Sequence, residues 1–138
     1  MIYKKSVIAW VLLLSGPVIA SNSQIDAPER HESTYTLMTE CRAAANYEDT
    51  GWTATLSPLT SLQVGSCQGY IKGLRAGVAM VKLSRPSASI CIPESATNGQ
   101  LARVFLAWTD KHPEALHKPM LTSVIAAWAS AFPCGTDG

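Results

Sequence analysis

The sequence predicts an all-α protein: a compact four- to five-helix domain stapled by two disulfides. Three observations lead there. Apolar residues recur at helical spacing in four segments, and no segment alternates with period two for long enough to make a strand. Prolines and capping residues stand where those segments begin and end. Four cysteines, Cys41, Cys67, Cys91 and Cys134, are spread along the chain with at least 23 residues between neighbours.

The N-terminus reads as an export signal. "MIYKK" is a short basic region, "VIAWVLLL" an apolar stretch too short to span a bilayer, and Val18 and Ala20 sit at the −3 and −1 positions of an A-x-A-like site. Residues 1–20 are therefore expected to be a secretory signal peptide cut after Ala20. Residues 21–33, with one proline and no apolar period, read as a polar leader. Residues 34–134 form the helical domain and 135–138 a short tail. Of 138 residues the cut leaves 118, a size that suits one core.

The first helix is expected from about Thr34 to Tyr47, capped by Ser33 or Thr34, with Leu37, Met38, Cys41, Ala44 and Ala45 on one face. "EDTGWTATL" breaks it into a loop that carries Trp52, with Glu48 and Asp49 as a solvated turn. Ser57 is a good N-cap and Pro58 suits the first helical position, opening a second helix that runs to about Lys82. On a helical wheel Leu62, Cys67, Tyr70, Leu74, Val78 and Val81 share one broad arc, opposite Gln68, Lys72, Arg75 and Lys82. A connection between two prolines holds Cys91. Thr97 and Gln100 form a capping-box pattern ahead of a third helix, whose Leu101, Val104, Phe105 and Trp108 face inward while Arg103 and Asp110 face away. "KHPEALHKP" is a turn with room for one short helical turn. The last helix begins near Pro119, with Leu121, Val124, Ile125, Trp128 and Phe132 on one side and Thr122, Ser123 and Ser130 on the other.

The cysteines lack the close pair of a zinc site or a redox motif, and in an exported chain an even count reads as disulfides. Four cysteines allow three connectivities. Antiparallel packing of the first two helices favours Cys41–Cys67, and the same packing of the last two favours Cys91–Cys134. The second pair closes the longer loop and should contribute about 3–4 kcal/mol by loop entropy. The expected compartment is oxidising, the periplasm or cell exterior.

Composition and motifs exclude several functions. Without Lys4 and Lys5 the chain has nine basic against ten acidic residues, a net of −1, which with no basic tract argues against nucleic acid. No second apolar run reaches a membrane span, so no membrane association is expected after signal cleavage. There is no G-x-S-x-G and no H-E-x-x-H. His112 and His117 flank a turn at a spacing that would not put both on one helix face, and His31 lies in the leader. The chain reads as a binding protein, not an enzyme, with no cofactor and no metal.

One feature of the second helix stands apart. Gly65, Gly69, Gly73 and Gly77 recur every fourth residue inside it, and each interior glycine costs a helix about 0.8–1 kcal/mol relative to alanine. Such a row makes a bare groove that admits another helix closely. It serves packing within the monomer or contact between two copies. A phosphate loop would instead follow a strand and open a helix.

Four segments carry a family resemblance: "CQGYIKG" at 67–73, "ICIPESATNGQL" at 90–101, "HPEALHKP" at 112–119 and "AAWASAFPC" at 126–134. With the cysteine layout they make the chain resemble the type VI secretion amidase immunity proteins, the Tai family, also called resistance-associated proteins, over roughly residues 35–134. The resemblance implies a small helical periplasmic protein of a Gram-negative bacterium, commonly a homodimer. Its partner would be a secreted peptidoglycan amidase of papain-like cysteine hydrolase type, blocked by occlusion of its Cys–His groove. On that reading the plug is expected on the polar, proline-held turn at Asp110, Lys111, His112, Glu114, His117 and Lys118. The Trp52 loop and Leu106, taken as exposed, come second. The alternative is an exported envelope protein that shares only the scaffold and binds a small ligand or another protein.

Overall fold

A computed structural model describes residues 33–85 and 89–135. The expected signal peptide, nearly all of the leader with His31, and most of the short tail lie outside the described residues. The element order is α1 (Thr34–Asp49), α2 (Pro58–Ser84), α3 (Asn98–Lys111), a 3-10 turn (Pro113–Ala115) and α4 (Met120–Ala131). Among the described residues the only β features are two isolated bridges, Ser33 with Pro119 and Ile90 with Pro133.

The caps follow the sequence closely. Ser33 Oγ accepts from the Thr36 N–H, and Ser57 Oγ does the same for Thr60 with Pro58 in the first turn. Thr97 and Gln100 make the reciprocal capping box, at 3.1 and 2.8 Å. Pro119 sits one residue earlier than expected, at the N-cap of α4, where it offers no side-chain cap. Glu48 and Asp49 are the last residues of α1, not a free turn, because Arg103 of α3 holds them at 3.4 and 2.7 Å. The hydrogen bond to Asp49 foremost raises the Arg103 pKa above its ordinary value, against some desolvation. At Gly99 a Cβ would fall 2.6 Å from a Glu48 carboxylate oxygen. Glycine there lets a carboxylate approach the N-terminus of α3, where the helix dipole favours negative charge.

The core lies between α1, the first half of α2, α3 and α4. Leu37, Cys41, Ile71, Leu101, Phe105, Val124 and Trp128 are wholly buried. A side chain such as Phe105 contributes about 1.5–3 kcal/mol through burial, and Trp128 Nε1 also donates to the Leu101 carbonyl at 3.2 Å. Two disulfides close the domain: Cys41–Cys67 joins α1 to α2, and Cys91–Cys134 joins the segment before α3 to the end of α4. Both pairings are those expected from antiparallel helices, and no described cysteine is free.

Two wheel assignments need correction. The buried stripe of α2 is Val64, Cys67 and Ile71, flanked by Tyr70, Leu74 and Val78, whereas Leu62 and Val81 are exposed. The helix carries two apolar faces and the core covers one. Ser123, placed on the outer side of α4, is buried, because Thr34 supplies its hydroxyl with a partner 2.7 Å away.

Candidate functional site

The connection from α3 to α4 is short, and four of its N–H groups bond within it. The N–H groups of His112, Ala115, Leu116 and Lys118 donate to the carbonyls of Thr109, His112, Pro113 and Ala115, at 2.9–3.3 Å. Pro113 fixes φ at the start of the 3-10 turn, and Pro119 stops it before α4. Ala115, wholly buried, seats the turn on the domain. The start of α1 then pins it from the side: the N–H groups of Thr34 and Tyr35 donate to the carbonyls of Lys118 and Leu116, at 2.9 and 3.0 Å. Thr34 Oγ1 donates to the same Lys118 carbonyl at 2.8 Å.

The six residues expected to form the plug have unequal surroundings. Lys111, Glu114, His117 and Lys118 are exposed on this one connection. Asp110 is exposed but paired with Arg42 of α1. His112 is half-buried, stacked on Trp108 with ring centroids 4.1 Å apart and 13° between the planes. Its Nδ1 lies 2.8 Å from the Trp108 carbonyl. A carbonyl oxygen only accepts, so Nδ1 carries the hydrogen and Nε2 of the neutral ring is left as an acceptor. The result is a rigid knob with four outward polar side chains. Sequence reasoning missed what holds it: Thr34 and Tyr35 bond carbonyls 84 and 81 residues further along the chain, Ser123 lies beyond the turn, and no local pattern marks them.

The second choices differ from each other. Trp52 is 47% exposed and, after Gly51, adopts a positive φ of 64°, a strained conformation for a bulky residue. Tyr47 holds it there: the phenol donates to the Trp52 carbonyl at 2.9 Å, and the rings meet edge to face at 5.1 Å. Leu106, expected to be exposed, is half-buried against the core, because it sits beside the inward stripe of α3.

The glycine row is open. Gly65, Gly69, Gly73 and Gly77 are all exposed, and beyond the helix's own backbone nothing comes within 4 Å of a Cβ built on any of them. Packing within the monomer, one of the two expected uses, is therefore not what the described residues show. At the end of this row an open cleft of about 580 Å³ is lined by Gly77 itself with Leu74, Val78, Val81, Ile90 and Ile125, and by Arg85 and Ser89.

No group of three or more His, Cys, Asp or Glu among the described residues is placed to hold a metal ion, and no helix there is long and apolar enough to cross a membrane. The family of Rap1a immunity proteins matches residues 33–134, from the N-cap of α1 to the last cysteine. The chain belongs to that family. It is thus a type VI effector immunity protein, an inhibitor and not an enzyme. The match spans the helices, both disulfides and the pinned turn, and two disulfides fit an exported member of the family. No individually curated protein and no solved structure matches the chain.

Proposed function

We propose that the chain is a periplasmic immunity protein that blocks a type VI secreted peptidoglycan amidase by steric occlusion and so protects the producing cell. The observation that carries this reading is the α3–α4 connection. Its backbone is fixed by Pro113, Pro119 and the start of α1 while Lys111, Glu114, His117 and Lys118 stay exposed. A knob ordered in advance loses little conformational entropy on entering a groove. It needs no chemistry of its own, since filling the cleft above a Cys–His pair keeps the wall peptide out. Cleavage after Ala20 delivers the chain to the oxidising periplasm, where the disulfides form. The same protein pairs with a second copy through the open glycine face of α2, giving a homodimer.

The test is to express a type VI cysteine amidase of the producing organism in the periplasm, with and without the immunity chain. Lysis should be suppressed when both are present, and the two should co-elute on size exclusion. Unchanged lysis with no complex overturns the assignment for that amidase.

A further inference from the structure

Three of the four arginines among the described residues are engaged. Arg42 pairs with Asp110, and Arg103 with Glu48 and Asp49. The Arg75 guanidinium donates to the carbonyls of Ala96 and Glu94 at 2.6 and 3.0 Å. Arg85, at the C-cap of α2, has no side-chain partner among the described residues. It borders the open cleft of about 580 Å³, whose lining is otherwise aliphatic apart from Ser89 and the bare Gly77. No acidic side chain lines that cleft.

The lining is graded along α2. Leu74, Gly77, Val78 and Val81 recur at helical spacing, and Arg85 follows one turn later. From Leu74 to Arg85 the chain rises about 16 Å at 1.5 Å per residue, the length of an extended alkyl chain of about twelve carbons. Gly77 keeps the space clear, since nothing lies within 4 Å of a Cβ built there. Ile90 and Ile125 add to the lining from other elements. The segment that carries Ile90 is fixed in advance. Ile90 bridges to Pro133, the Cys91 N–H donates to the Phe132 carbonyl at 2.8 Å, and the Cys91–Cys134 disulfide ties the two together. A cleft with a fixed wall costs a ligand little ordering.

We propose that this cleft binds a single-chain fatty carboxylate, with the alkyl chain along α2 and the carboxylate on the Arg85 guanidinium. Branched aliphatic side chains with no aromatic ring among them suit a flexible methylene chain better than a flat ring system. The planar guanidinium gives a carboxylate two parallel N–H bonds, and the Ser89 hydroxyl is a further donor in the same lining. A peptide would fare worse, because its backbone N–H and C=O groups would enter an aliphatic cleft with few partners. A neighbouring cleft of about 630 Å³ shares Val78 and Ile90, but its lining includes Glu94, and its Arg75 is already bonded. The fatty-acid site is independent of the amidase reading and stands or falls without it.

Isothermal titration of the processed chain with octanoate, decanoate, dodecanoate and tetradecanoate, each below its micelle concentration, tests the proposal. One molecule should bind per chain. Affinity should rise by up to about fourfold for each added methylene, and level off once the tail outgrows the cleft. Arg85→Gln should weaken dodecanoate binding by about tenfold or more, and Arg85→Lys should restore part of it. Val81→Glu places a carboxylate one turn before Arg85, where it takes the guanidinium and repels the ligand, so binding should vanish. Both positions are exposed, so the melting temperature and far-ultraviolet spectrum should stay those of the wild type. Dodecyltrimethylammonium, the same tail with the opposite charge, should not bind. No saturable heat with any of the four acids overturns the proposal. Equal dodecanoate affinity in Arg85→Gln, or equal binding of the cationic amphiphile, overturns it as well. A twelve-carbon lysophospholipid that binds about tenfold tighter than dodecanoate assigns the head group to a phosphodiester and overturns the carboxylate.

Discussion

The Thr34 hydroxyl lies beneath the α3–α4 connection, wholly buried, within 2.8 Å of the Lys118 carbonyl and 2.7 Å of Ser123 Oγ. It ties the first helix to the last across 89 residues of chain. Thr34→Val keeps the shape and removes the polar atom. The Lys118 carbonyl retains the Thr34 N–H, but Ser123 Oγ loses its buried partner. The expected cost is about 1–3 kcal/mol, the range for a buried polar group left unpaired. Thermal unfolding should shift down by several degrees, and amide exchange at Leu116 and Lys118 should speed up. A melting temperature equal to wild type would show that the hydroxyl does not hold the turn. This contact also marks where sequence reading stops. A helix wheel puts Ser123 on the polar side of α4, because a serine there defaults to solvent. Its partner lies at the opposite end of the sequence, where no local period can reveal it.

At the scale of elements, the helix boundaries were largely legible because they are local chemistry. Ser57 with Pro58, and Thr97 with Gln100, satisfy orphan N–H groups within one turn of themselves. What the period of 3.6 left ambiguous was α2. It has one face covered by α1 and α3 and a second, apolar face that the described residues leave exposed, so a single wheel merges Leu62 and Val81 into the wrong stripe. Apolar spacing reports a face and does not report what covers it. The two staples likewise followed from topology, but their environments did not. Cys41 and Cys67 are wholly buried, whereas Cys91 and Cys134 are half-exposed where the segment before α3 meets the chain end. Access governs thiol–disulfide exchange. A limiting dithiol should therefore open Cys91–Cys134 first and leave Cys41–Cys67 intact, as read by differential alkylation and peptide mapping. Loss of the Cys91–Cys134 link should cost about 4 kcal/mol in the loop-entropy account, given its 43-residue separation. Equal rates of reduction at both sites would refute the ranking.

At the scale of the whole molecule, the turn uses its backbone atoms for stability and leaves its side chains to the recognition proposed for it. The backbone of residues 112–118 is held by hydrogen bonds to itself and to Thr34 and Tyr35, whereas the Lys111 and Lys118 side chains stand in solvent. The motif around Pro113 and Pro119 pointed to this turn in the sequence. The support from α1 and the pairing of Asp110 with Arg42 did not show, because both arise only when distant helices pack. The division of labour makes a sharp prediction. Lys111→Glu with Lys118→Glu leaves every backbone bond in place, so folding stability should stay within about 0.5 kcal/mol of wild type. Effector binding should suffer instead. Reversing two exposed charges at the rim of an interface acts mainly on the association rate, by about tenfold at low salt and less as salt screens the field. Surface plasmon resonance against the effector at two ionic strengths separates these effects. A drop in rate that fades with salt, beside an unchanged melting temperature, assigns recognition to the turn. Equal affinity for the reversed variant would move the interface to another surface of the domain, with the strained Trp52 loop next in order.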